Sequence, residues 1–266
     1  MEVQKEQAIE DLGRFAMEVI CLSGDEALAY YGKGSAREKF DAGLVTEAEL
    51  RLREFFHDEL YAHFPEHRVY MNGQSEEGYT HGSGRYLWVF DPLDGVANFQ
   101  AGIPIWGLSL SLYENHWPVM GLFYMPVTGD LFYAQAGQKA YRGDEEICIS
   151  RQEEINDESL LLTYSRFHNH YRASFPGKIR DLGCTSAHVC YVAMGRAEAA
   201  LLANESYEDL AAVRIIIEAA GGHIFRMNGS ELFLNEYLDG QKIEDHLLVV
   251  SHDRFSEVRH CLHEAF

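Results

Sequence analysis

Basic residues are scarce in this chain: 22 Lys and Arg stand against 42 Asp and Glu in 266 residues, a formal net charge of −20. A surface that acidic repels nucleic-acid phosphates and anionic bilayers, so neither is expected as a partner. Any phosphorylated ligand would need local cations in order to approach. No apolar run nears the length that crosses a bilayer, and Met1 to Ala8 carries alternating charges without an apolar signal core. The five cysteines (Cys21, Cys148, Cys184, Cys190, Cys261) are an odd number with no CxxC spacing. That argues against a disulfide framework or a zinc ribbon and for a reducing, cytoplasmic location. Internal repeats and low-complexity linkers are also absent. The remainder, 47% hydrophobic and 24% charged, is ordinary for a globular protein. Its length suits one large domain or two closely packed halves.

The first 32 residues read as a long helix, with Ile9, Leu12, Phe15, Ala16, Val19 and Ile20 spaced along one apolar face. Thr46-Glu47-Ala48-Glu49 matches a capping box, so a second helix is expected from about Thr46 to Phe64. Asn72 to Gly84, rich in Gly, Ser and Glu, reads as a loop. Strands are expected at 86–90, 106–113, 119–125, 131–135 and 140–150, an antiparallel meander with turn chemistry at Gly129-Asp130 and Arg142-Gly143-Asp144. Beyond Arg151 strands (160–164, 199–203, 246–251) alternate with helices (186–194, 207–220, 254–265), the penultimate one stopped by Gly221-Gly222. The expected class is α+β, a layered αβαβα design. Two halves are expected, 1–140 and 141–266, with a soft boundary near 137–150. His168-Asn169-His170 has no third ligand nearby and reads as a surface loop.

Leu87-Trp88-Val89-Phe90-Asp91-Pro92-Leu93-Asp94-Gly95-Val96-Ala97-Asn98-Phe99 is the most informative stretch. A buried strand runs straight into two carboxylates three residues apart. Pro92 restricts φ and Gly95 permits a sharp bend, so Asp91, Asp94 and the Leu93 carbonyl can face one point. A helix starting after Gly95 would present free N–H groups beside them, and oxygen donors next to an anion site suit a hard divalent cation. The plain alternative, an Asx turn followed by a helix cap, explains one aspartate well and two poorly. Ser75-Glu76-Glu77-Gly78 supplies acids upstream, and Glu208-Asp209-Leu210-Ala211-Ala212 places acids at a helix start, where the helix dipole alone would favour them.

Glu-Glu, then Asp-Pro-Leu-Asp-Gly-x-x-Asn-Phe, then Asp-x-Ala-Ala before Gly-Gly, in that order, resembles the inositol monophosphatase family over roughly residues 40–250. The resemblance implies a five-layered αβαβα fold, a homodimer, and hydrolysis of a small phosphorylated metabolite dependent on two or three Mg²⁺ ions. Mn²⁺ would substitute, and Li⁺ and Ca²⁺ would inhibit. Carried over by position, it makes Glu76, Asp91, the Leu93 carbonyl, Asp94 and Asp209 metal ligands, with Glu76 and Glu49 the catalytic candidates for taking the water proton. Gly95 and Val96 would bind phosphate through their N–H groups, and Asp94, Gly183, Thr185 and Asp209 would line the substrate. Four departures stand out: Val96 replaces a hydroxyl residue that activates water, Glu49 replaces an assisting Asp, Glu208 replaces a Trp, and Leu202 replaces a sugar-binding Glu. The substrate therefore stays open among sugar or polyol phosphates, fructose bisphosphate and adenosine bisphosphate. A metal-binding but catalytically weakened protein that acts through association is the alternative expectation. A calcium-binding structural domain is a third.

Overall fold

The computed structural model describes residues 2–34, 42–70 and 86–265. Two helices come first, α1 (Glu2–Leu28) and α2 (Ala42–His63). A seven-stranded sheet follows in sequence order: β1 (Arg68–Val69), β2 (Tyr86–Asp94), β3 (Gly107–Glu114), β4 (Trp117–Met125), β5 (Asp130–Gln135), β6 (Ala140–Arg142) and β7 (Glu145–Ile147). It is antiparallel except for the β1–β2 pair. The short helix α3 (Val96–Ala101) interrupts the chain after β2.

The second half carries β8 (Leu160–Thr163), β9 (Tyr171–Ala173), β10 (Lys178–Arg180), α4 (Thr185–Ala193), β11 (Ala199–Leu202), α5 (Tyr207–Ala219), β12 (His223–Arg226), β13 (Leu247–Val250), α6 (Phe255–His260) and β14 (Leu262–Glu264). Its five-stranded sheet has the order β10-β8-β11-β13-β12, and β14 pairs with β9 apart from it. The change of sheet falls between Ile147 and Leu160, while position 140/141 lies inside β6.

Alternation along β2 explains the layering. Trp88 and Phe90 pack with α1 and α2 in one apolar cluster, whereas Leu87 and Val89 join α4 and α5 in another. A strand buried on both faces reads as a continuous apolar run, as residues 87–90 do. The second cluster continues through Leu210, Val213 and Ile217 of α5 to Ala200, Leu202, Leu247 and Val249 of the five-stranded sheet. That sheet's far face, with Leu201, Leu248 and Val250, is covered by Val258 of α6 and by Tyr171 and Leu262. The order of layers is therefore α1/α2, sheet, α4/α5, sheet, α6, the expected αβαβα arrangement. At the closest approach a Cβ on Gly121 would lie 2.3 Å from the Ala212 carbonyl oxygen, so only glycine lets α5 sit this near β4.

Three expectations need correction. α2 begins at Ala42, so Thr46 lies inside the helix and Thr46–Glu49 is no capping box. The final helix ends at His260, because Leu262 is buried against Tyr171 and Phe175 as β14 pairs with β9. Within 140–150, β6 and β7 form a tight hairpin around Gly143 (φ 55°) that ends at Ile147, so the segment is not one strand. Among the described residues no helix is long and apolar enough to cross a membrane.

Candidate metal and phosphate site

Asp91 and Asp94 lie at the end of β2, where the pairing with β3 shifts register between them. Pro92 and Leu93 have no Cα partner in that register. Leu93 N–H donates to Asp91 Oδ1 at 3.1 Å, an Asx turn that points the carboxylate inward. Gly95 then turns the chain with φ 84°. A Cβ there would meet the Ile105 carbonyl oxygen at 3.0 Å and Cys184 Cβ at 3.1 Å. Glycine is required on both counts.

α3 begins at Val96, and its buried Asn98 ties the two halves together. Asn98 Nδ2 donates to the Ile105 carbonyl at 2.6 Å and to the Leu182 carbonyl at 2.7 Å. Gly183 follows with φ 71°, close against the Asn98 side chain. The N-cap of α4, Cys184, offers no side-chain cap. Asp94 supplies it instead: Thr185 N–H donates to Oδ1 at 3.1 Å and Ser186 N–H to Oδ2 at 2.5 Å. A carboxylate from β2 thus satisfies orphan donors of a helix in the other half.

Asp209 does stand in a capping box. Its Oδ2 accepts from Ser206 N–H (2.6 Å) and Ser206 Oγ (2.7 Å), and Lys242 Nζ lies 3.0 Å from the same oxygen. No described residue donates to Asp209 Oδ1. The cap and a ligand role are therefore compatible, one per oxygen.

Burial raises the Asp91 pKa well above its ordinary value, with the Asp209, Asp94 and Glu208 charges adding to it and the Leu93 N–H opposing. Asp94 is also raised by burial, offset by its bonds to Ser186 and Thr185. Glu205, which sequence reading passed over, is pushed up to about 8 by burial and then by Asp209 and Asp94. Its Oε1 accepts from Thr185 Oγ1 at 3.0 Å. These acids resist ionising together, the electrostatic signature of a site that wants cations. Among the described residues no three acidic, histidine or cysteine side chains converge as a ready-made cluster. Glu76 falls outside the described residues. The donor chemistry present, carboxylates plus a backbone carbonyl at Leu93, fits Mg²⁺.

Glu49 lies on α2, half-buried, and burial raises its pKa against the opposing charge of Arg53. One turn on, Arg53 Nη2 pairs with Glu208 Oε1 at 2.8 Å, and Arg53 Nη1 donates to the Phe90 carbonyl at 3.4 Å. The residue that replaces the expected Trp is thus part of an ion pair joining α2 to α5 beside Asp209. Val96 packs against the α1–α2 core. Leu202 is buried within β11 and faces the core. Burial and then the Asp94 charge push the Cys184 thiol up, so it is not a nucleophile. His168 and His170 are exposed around a short 3₁₀ turn, and Tyr164 Oη lies 2.8 Å from His170 Nδ1.

Sequence could have flagged Glu205, an acid between a buried strand and a helix cap, four residues before Asp209. Nothing local flags Lys242, 33 residues further along.

A strand that ends in paired aspartates beside short glycine-turned helices, inside an αβαβα stack, defines the class of layered phosphatase folds. The match is specific: residues 6–260 fit the inositol monophosphatase family, and the chain belongs to it. A histidinol-phosphatase of Chlorobaculum parvum is 28% identical over 232 residues, 84% of this chain and 88% of its own. A Nus factor SuhB of Xylella fastidiosa is 30% identical over 166 residues, 59% of this chain and 60% of its own. The solved IMPase structure of Thermotoga maritima superposes with a TM-score of 0.76 at 25% identity, covering 94% of this chain and 96% of that one.

Proposed function

We propose that the protein is a Mg²⁺-dependent phosphomonoesterase acting on a small phosphorylated metabolite. The observation that carries this reading is the placing of Asp91 and Asp94 on either side of the β2 register shift at the Gly95 corner, within reach of the Asp209 charge. Asp91, Asp94, the Leu93 carbonyl and Asp209 Oδ1 would hold Mg²⁺, with Glu76 as a further ligand; Mn²⁺ would replace it, and Li⁺ and Ca²⁺ would inhibit. When bound, the cation polarises the phosphoryl group and offsets charge on the leaving oxygen. It also resolves the problem of bringing a phosphate to a protein of net charge −20.

The remaining roles belong to the chain. Gly95 and Val96 N–H groups orient the phosphoryl oxygens. Gly183 and Thr185, held by Asn98 and Asp94, form the wall that the leaving group faces. Glu49 takes the proton of the attacking water, assisted by Glu76; its raised pKa makes it a better base than an ordinary exposed carboxylate. The protein is proposed to act as a homodimer.

The test is phosphate release from a panel of monoesters with and without Mg²⁺. Release that needs Mg²⁺ and disappears in Asp209→Asn supports the reading; no release from any ester overturns it. Val96 favours a second reading, in which the site binds metal but turns over slowly and the protein acts by association.

A further inference from the structure

Glu205 is a carboxylate that the metal ligand set leaves over. It sits in the connection from β11 to α5, directly after Asn204, a non-glycine residue held at φ 65°. Asn204 is exposed, whereas Glu205 is only 7% exposed, so the turn costs backbone strain and sends the acid inward. The backbone is pinned there by Ile243 N–H, which donates to the Glu205 carbonyl at 2.7 Å. One carboxylate oxygen accepts from Thr185 Oγ1, while Thr185 N–H donates to Asp94. Glu205 therefore stands on the same wall as Asp94, and both Asp94 and Asp209 act on its charge. No described residue donates to its Oε2. Lys242, whose charge partly offsets the raised pKa of Glu205, pairs with Asp209. A carboxylate this buried, with one oxygen held by Thr185 and no described donor on the other, is open to a donor from outside the chain.

We propose that Glu205 reads the leaving-group side of the substrate, selecting phosphate monoesters whose alcohol carries a hydrogen-bond donor close to the ester, an ammonium above a hydroxyl. A charged donor is favoured because a carboxylate shielded from water makes a stronger hydrogen bond to an ammonium than to a hydroxyl. This rests on the phosphatase reading of the site. The bond to Thr185 is a separate matter: a glutamine at 205 still accepts from Thr185 Oγ1 but carries no charge, so it separates recognition from structure.

The experiment measures kcat and KM with Mg²⁺ for O-phosphoethanolamine, glycerol 3-phosphate and n-propyl phosphate, which offer an ammonium, hydroxyls and neither. The wild type is expected to favour them in that order in kcat/KM. Glu205→Gln should raise KM for O-phosphoethanolamine at least tenfold with kcat little changed, and leave n-propyl phosphate within about twofold. Glu205→Asp should retain most of the ammonium preference. Hydrolysis of all three esters with no ammonium preference in the wild type overturns the inference and leaves the phosphatase reading standing. An equal loss on all three in Glu205→Gln also overturns it, since the residue would then be structural. No hydrolysis of any ester overturns both.

Discussion

At position 96 two valine methyls pack against the α1–α2 core, beside the corner formed by Asp94 and Gly95. A hydroxyl at this point would hold the attacking water, and one well-placed hydrogen-bonding group in a site contributes a factor of about 10²–10³ to rate. Val96→Thr keeps the β-branched shape and adds the hydroxyl, so kcat should rise at least ~10-fold while Mg²⁺ affinity stays the same; steady-state kinetics alongside a Mg²⁺ titration would check this. Glu49 gives the complementary case. Thr46 lies inside α2, so Glu49 has no cap to lose. Glu49→Gln should therefore lower kcat at least ~10-fold and leave the thermal midpoint nearly unchanged. A shifted midpoint with unaltered kcat would make it a stability residue instead. At this scale the sequence was legible where chemistry is local. Asp91, Leu93, Asp94 and Gly95 fall within five residues, and Asp209 has its own helix start. Lys242 was not, because it reaches Asp209 through a tertiary contact that no window of sequence contains; Glu205 lay four residues before Asp209, but its partner Thr185 is 20 residues away. The Arg53–Glu208 pair has the same cause, since α2 and α5 meet across the edge of β2.

Short elements do the positioning. α3 has six residues and α4 nine, and neither has a side-chain cap of its own. They are held by Asn98 and Asp94, each bonding into the other half. Asn98→Ala would leave the Ile105 and Leu182 carbonyls unpaired and should cost about 2–4 kcal/mol of unfolding free energy, measurable by urea titration. Activity should fall as well, since the Gly183–Thr185 wall would no longer be tied to the Gly95 corner. The longer strands were readable from alternation and burial, because β2 to β5 have both faces or one face covered. The short strands β1, β9, β10, β12 and β14, two to four residues each, were not readable, because their pairing depends on partners far along the chain. The false capping box at Thr46 shows the converse: a correct local pattern overridden when the apolar face of α2 continues upstream to Val45, which is buried.

The whole molecule joins a strongly acidic chain to a site that gathers still more acid. Without cations this costs stability, and the cost depends on pH with a definite sign. Glu205 is raised from an ordinary 4.5 to about 8. Its contribution is thus fully present below 4.5 and is lost as pH rises through 8. In EDTA, Glu205→Gln should accordingly gain on the wild type by more than ~1 kcal/mol between pH 5 and pH 8, read by urea unfolding at each pH. A difference that stays constant across that range would mean Glu205 does not carry the repulsion. The same repulsion is what Mg²⁺ would relieve, and Asp91, the acid on which Asp209, Asp94 and Glu208 all act, is the place to test it. The most direct measurement is Mg²⁺ titration by calorimetry of the wild type and of Asp91→Asn at pH 7.5. The account predicts saturable binding in the wild type and its loss in the variant; binding unaltered by Asp91→Asn would contradict it.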